Sequence, residues 1–165
     1  VQIERGKGST FTVLLPCHLA QEPQVPQPAT DPEAFSLEGR HFLLAEDNFL
    51  NMEIATELLS MEGAVITPVQ NGQEAVDAFA ASSPGTFDAI ILDIQMPVLD
   101  GYGAARAIRA LPRPDAQAIP ILAMTANAFT DDVAAAREAG MNGHIAKPVD
   151  MGRIKSVLAT VLPPR

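Results

Sequence analysis

Residues 87–101 read Phe87-Asp88-Ala89-Ile90-Ile91-Leu92-Asp93-Ile94-Gln95-Met96-Pro97-Val98-Leu99-Asp100-Gly101. Phe87 to Leu92 is a short, near-continuous apolar run, the pattern of a strand covered on both faces. It stops at Asp93, a carboxylate that an apolar core would reject. A loop through Pro97 follows, and a helix is expected from about Gly101 to Leu111. The same strand, polar end and helix recur on either side. His41 to Ala45 is a strand closed by Glu46-Asp47, and Asn48 is placed to cap a helix with a buried stripe of Leu50, Ile54, Leu58 and Met61, ending at Gly63. Ala64 to Val69 is a further strand, with a helix over Asn71 to Ala81. Ile119 to Met124 precedes Thr125 and a helix over Asp131 to Ala139, and Gly143 to Ala146 precedes Lys147-Pro148 and a last helix capped by Asp150. Five such βα units predict an α/β fold, a doubly wound five-stranded parallel sheet with helices on both faces.

Composition narrows the possible partners. The chain has 165 residues, 20 Asp plus Glu against 11 Lys plus Arg, and a formal net charge of −9. That balance argues against nucleic acid and against anionic membrane surfaces, which both need a basic footprint. Cys17 stands alone, so no internal disulfide or zinc cluster is available and a reducing, cytoplasmic setting is expected. No run approaches the ~18 apolar residues of a membrane span. Because the first residue is Val1, a piece of a longer protein is expected, whose parent is anchored in a membrane elsewhere if at all.

The flanks differ from the βα core. Residues 18–37 hold Pro23, Pro26, Pro28 and Pro32 among Gln, Glu and Ala, a composition for an extended tether. Upstream, Gly6-Lys7-Gly8 is a turn signal before the β-rich run Ser9 to Pro16. A phosphate-binding loop needs Lys followed by Ser or Thr, and Lys7 is followed by Gly8, so a strand of a neighbouring domain is the plainer reading.

From His41 to Ala105 there are ten Asp or Glu and no Lys or Arg. In an open parallel sheet the C-terminal strand ends lie together and bind ligands where the winding reverses. If the strands ending in Glu46-Asp47 and Asp93 are neighbours there, three carboxylates converge and repel one another unless a cation neutralises them. Oxygen-only donors suit a hard ion such as Mg²⁺, and this pairing favours phosphoryl chemistry over binding of a bare dinucleotide. Asp93 is then the nucleophile, Lys147 the counter-charge to the phosphoryl oxygens and Thr125 a hydrogen-bond donor. Taken singly, each residue has an ordinary reading: a strand-end carboxylate, a pair complementing a helix dipole, a solvated lysine. Their joint placement at four strand ends carries the argument.

These residues resemble a known family. Leu44-Ala45-Glu46-Asp47-Asn48, Asp93 to Gly101, Met124-Thr125-Ala126 and Lys147-Pro148-Val149 are similar, in order and spacing, to the receiver domains of two-component signalling, over about Arg40 to Leu162. The resemblance implies the flavodoxin-like strand order 2-1-3-4-5. It also implies that Asp93 is the phosphoacceptor, that Glu46 and Asp47 are the acidic metal pair, and that Gln95 offers its main-chain carbonyl to Mg²⁺. Thr125 is the implied switch hydroxyl, Lys147 the phosphate-sensing lysine, and Lys147-Pro148 a cis bond. His144 stands where many relatives carry the Tyr or Phe of the switch. Residues 1–17 resemble the closing turn and strand of a histidine-kinase ATP-binding domain. The implied organisation is that remnant, a tether over 18–37 and a receiver over 38–165, at the C-terminal end of a hybrid sensor histidine kinase. A phosphorelay receiver is expected, taking a phosphoryl group from the phosphohistidine domain of its own kinase or exchanging it with a histidine phosphotransfer protein, with no ATP hydrolysis by this piece. Two other readings stand beside it: an aspartate-nucleophile phosphatase, although Gln95 occupies the position where such enzymes usually carry an acid/base Asp, and a receiver-like interaction module that does not cycle.

Overall fold

The apolar runs become the strands of one parallel sheet. The computed structural model describes residues 2–4, 8–10, 35–126 and 130–163. After β1 (Gln2–Glu4) and β2 (Gly8–Thr10), an antiparallel pair, come β3 (His41–Ala45), α1 (Phe49–Met61), β4 (Val65–Val69), α2 (Gly72–Ala81), β5 (Ala89–Asp93) and α3 (Gly101–Ala110). The chain continues through β6 (Ile121–Thr125), α4 (Thr130–Glu138), β7 (Gly143–Ala146) and α5 (Met151–Val161). The parallel sheet runs β4-β3-β5-β6-β7, which is the expected order 2-1-3-4-5.

Side chains along each strand alternate between two cores, as the two-residue period of a strand demands. Leu43, Ala45, Ile90, Leu92, Ile121 and Ala123 pack into the core that takes in α2 and α3. Phe42, Leu44, Ala89, Ile91, Leu122 and Met124 pack into the core beneath α1 and α5. Burial on both faces explains why β5 and β6 have no exposed residue. β4 is the exception: it lies at the edge, where Val65 and Pro68 are exposed and the missing N–H of Pro68 discourages a further strand.

The structure departs from the sequence pattern in four places. β5 and β6 begin two residues later than expected, because Asp88 turns its carboxylate to the His41 N–H (2.8 Å) and the Ile119 N–H bonds back to Asp115 O (2.9 Å). α1 buries Met52, Ala55 and Leu59, whereas the expected stripe is exposed at Leu50, Ile54 and Met61 and half-buried at Leu58. The helix is apolar on two faces, so periodicity alone does not choose between them. Phe35 and Leu37 are buried in the second core, so the packed unit takes in residues 35–37 of the stretch read as a tether. β1 is not among the strands that the sequence pattern predicts. The rest of the Ser9 to Pro16 run, Cys17 and residues 18–34 lie outside the described residues.

Candidate functional site

Each polar strand end is set by one ladder bond beyond its strand or at its last residue. The Glu46 N–H donates to Val69 O (3.1 Å), Ile94 N–H to Met124 O (3.1 Å) and Lys147 N–H to Thr125 O (2.8 Å). Because β3 pairs with β5, with Ala45 opposite Leu92, Glu46 and Asp93 emerge side by side at one rim. One carboxylate oxygen from each of Glu46, Asp47 and Asp93 lies within 4.8 Å of the others. Glu46 and Asp93 are buried, at 2% and 6% exposure, while Asp47 is exposed.

The cation among them comes from the far half of the chain. Lys147 Nζ donates to Glu46 Oε2 at 2.6 Å and to Asp93 Oδ2 at 2.8 Å. Burial by itself lowers the Lys147 pKa, but its hydrogen bonds to Asp93 and Glu46, with their negative charge, outweigh it and hold the ammonium above its ordinary value. Glu46 Oε1 is occupied as well, accepting from Asn51 Nδ2 (3.0 Å) and from the Asn48 N–H (3.3 Å). Asp93 Oδ1 accepts from the Gln95 N–H at 3.3 Å. The cleft above these groups is about 420 Å³ and is bordered by Asp47, Asn48, Asn51, Gln95, Thr125 and Ala126 as well as the buried pair and Lys147.

The loop after β5 forms the lip of this cleft. Gly101 N–H bonds to Ile94 O (3.0 Å) and Leu99 N–H to Pro97 O (2.8 Å), and between them Val98 is held at a φ of 68°. A β-branched residue is strained there, and Val98 is 83% exposed, so no burial offsets the strain. Gly72 N–H bonds to Leu99 O (3.1 Å), tying the lip to the start of α2. A Cβ on Gly101 would collide with the main-chain oxygen of Asp93. The Lys147-Pro148 bond is cis, as the resemblance implies.

Of the residues that the sequence marks, Glu46, Asp47, Asp93, Gln95, Thr125 and Lys147 all border one cleft. His144 does not line it. It is half-buried on β7 opposite Ala123, two steps below the Thr125–Ala146 pair and so on the same face of the sheet. Asn51 is the residue that sequence reasoning misses: an Asn in the first turn of a helix is ordinary, and only the fold reveals that it reaches Glu46. Chemically, the cleft offers an all-oxygen donor set suited to a hard divalent ion, with a buried carboxylate and an ammonium in contact.

A family model described as response regulator receiver domain matches residues 42–159. Histidine kinase 1 of Arabidopsis thaliana is 33% identical over 159 residues, covering 78% of this chain and 13% of that protein. Hybrid signal transduction histidine kinase L of Dictyostelium discoideum is 36% identical over 122 residues, covering 70% and 7%. The chain therefore spans a small part of the curated relatives it matches. Among solved structures, the receiver domain of sensor histidine kinase PA1611 from Pseudomonas aeruginosa PAO1, with a magnesium ion coordinated in its active-site cleft, superposes with a TM-score of 0.67 at 36% identity, covering 74% of this chain and 97% of that one. The Saccharomyces cerevisiae receiver domain of Ssk1, in complex with the histidine phosphotransfer protein Ypd1, gives 0.62 at 28% identity, covering 72% and 85%.

Proposed function

The chain belongs to the response regulator receiver domain family, and from that premise we propose that it works in a phosphorelay by accepting a phosphoryl group from a phosphohistidine onto Asp93. The observation that carries this reading is the bridge of Lys147 Nζ between Glu46 and Asp93, beside Asp47, at one rim of the sheet. An Asp93 carboxylate oxygen attacks phosphorus in line. The new O–P bond forms as the P–N bond to imidazole breaks, and that electron pair stays on the imidazole nitrogen, which takes a proton from solvent. The donor set fits Mg²⁺, with Glu46, Asp47, Asp93 and the Gln95 main-chain carbonyl as the groups that hold it; bound there, it supplies charge neutralisation between an anionic nucleophile and an anionic phosphoryl group. Lys147, already in contact with Asp93, follows the transferred charge, and the Thr125 hydroxyl donates to a phosphoryl oxygen. Thr125 on β6 and His144 on β7 form the pair that responds to the added charge.

The donor is a protein whose phosphohistidine must reach the cleft, either the phosphohistidine domain of a kinase in the same parent chain or a histidine phosphotransfer protein. Phe49, Leu50 and Ile54 are exposed at the start of α1, next to the cleft, and supply an apolar rim for such a partner. We read residues 1–17 as the end of a kinase ATP-binding domain, 18–37 as a tether ending in packed residues, and 38–165 as the receiver of a hybrid histidine kinase; the matches to long histidine kinases support the last of these. A cytoplasmic place goes with that reading, and no helix among the described residues is long and apolar enough to cross a membrane.

Intact-mass measurement after incubation with Mg²⁺ and acetyl phosphate tests the proposal. One added phosphoryl group is expected, lost in Asp93→Asn. No gain in the parent protein, or an equal gain in the variant, overturns it.

A further inference from the structure

Asn51 reaches the reaction through Glu46. Its Nδ2 donates to Glu46 Oε1 at 3.0 Å, and its own N–H donates to the capping Asn48 Oδ1 at 3.1 Å, which fixes the first turn of α1 from which the side chain leaves. The other oxygen of Glu46 takes Lys147 at 2.6 Å, and Lys147 goes on to Asp93. A continuous polar chain thus runs from the start of α1 to the nucleophile. The second donor to Oε1, the Asn48 N–H, is longer at 3.3 Å, so the amide of Asn51 is the shorter of the two restraints on the rotation of a carboxylate that is 2% exposed. Asn51 also borders a small, largely apolar notch of about 80 Å³ with Ile54, Ala55, Met124, Pro148 and Val149, beside Glu46 and Lys147.

We infer that Asn51 is a positioning residue for phosphoryl acceptance: by occupying Glu46 Oε1 it leaves only Oε2 to face a cation, and so sets where Mg²⁺ and Lys147 stand relative to Asp93. This rests on the receiver reading above. Residues that orient metal-binding groups without touching the metal typically change metal affinity or activity about 10–100-fold when removed.

The test compares the parent protein with Asn51→Ala, and with Asn51→Leu, whose side chain fills the notch and keeps the packing. Mg²⁺ affinity is read by calorimetry, and the rate of phosphoryl gain from acetyl phosphate is read as a function of donor and of Mg²⁺ concentration. Binding of Mg²⁺ is expected to weaken about tenfold in both variants, with the rate loss partly recovered by excess Mg²⁺. A purely structural role would lower the melting temperature and leave the Mg²⁺ affinity of the folded variants within twofold of the parent's, and that result overturns the inference. Failure of the parent itself to bind Mg²⁺ or gain a phosphoryl group overturns both this inference and the receiver reading, so the two failures are distinguishable.

Discussion

Between Glu46 Oε2 and Asp93 Oδ2, the Lys147 ammonium holds two buried carboxylates that would otherwise face each other without compensation. Its raised pKa means the folded state binds this proton more tightly than the unfolded chain. The stabilisation is therefore complete below the ordinary lysine value of 10.5 and is lost as pH rises through the higher folded value. Removing the cation while leaving the carboxylates buried costs more than the ion pair itself contributes. Lys147→Ala is expected to lose about 2–3 kcal/mol of stability at neutral pH in metal-free buffer. Added Mg²⁺ should return more of that loss to the variant than it adds to the parent, because it occupies the same negative site. Urea unfolding with and without Mg²⁺ measures both, and an equal Mg²⁺ increment in the two proteins would refute the shared-site account. At this scale Glu46, Asp47, Asp93, Thr125 and Lys147 are legible in sequence because each sits where an apolar run ends in a group the core rejects. Asn51 is not legible, since its partner is chosen by how α1 is set against β3, which no local pattern records.

The elements were legible in kind more than in phase. Runs such as Ala89–Asp93 and Ile121–Thr125 are buried on both faces, and Asn48 and Asp150 accept the helix N–H bonds that their capping positions imply, as do Asn71 and Asp100, which the sequence reading does not single out as caps. For α1 the sequence offers two apolar stripes, and the fold buries Met52, Ala55 and Leu59 while leaving Leu50, Ile54 and Met61 in solvent. Only the sheet to be covered decides which stripe turns inward, so the ambiguity belongs to tertiary packing. The joint between β5 and α3 is the tightest element-level constraint at the site. Gly101 opens α3 directly beneath the Asp93 carbonyl, and a side chain there has nowhere to go without displacing the backbone of Asp93. Gly101→Ala is expected to cost about 1–3 kcal/mol, as overpacking does. It should also slow phosphoryl gain from acetyl phosphate, since small misplacements of a reacting group are expensive. Thermal unfolding and intact-mass kinetics on the same sample check both; a stability loss with an unchanged rate would mean that α3 moves and Asp93 does not.

Across the whole molecule, the cations on either side of the cation-free stretch from His41 to Ala105 divide between chemistry and architecture. Lys147 goes to the site, whereas Arg109 donates to the carbonyls of Ala116, Ile119 and Gly140 and to Asn142 Oδ1, gathering the loops before β6 and β7. Arg40, 1% exposed, donates to Ser36 O (3.1 Å) and Pro163 O (2.6 Å), fastening the chain's entry into the packed unit to its exit. Sequence shows that the cations are segregated; it does not show which carbonyls they meet, because those contacts span up to 123 residues. Arg113 joins the α3–β6 loop to the end of α2, lying 3.9 Å over the Phe79 ring and donating to the carbonyls of Phe79 and Ser82, while Asp115 orients it through Nε at 2.6 Å. That hydrogen bond draws the Asp115 carboxyl down to about 2 from an ordinary 3.8. Its stabilisation is therefore full above the unfolded carboxyl range and is lost as pH falls from about 4 towards 2. Asp115→Asn should be less stable than the parent at neutral pH, with the gap closing as both are acidified through that window. Urea midpoints collected down the acid limb measure the gap. If it stays constant with pH, the stability difference arises from packing at the loop and not from the charge that Asp115 presents to Arg113.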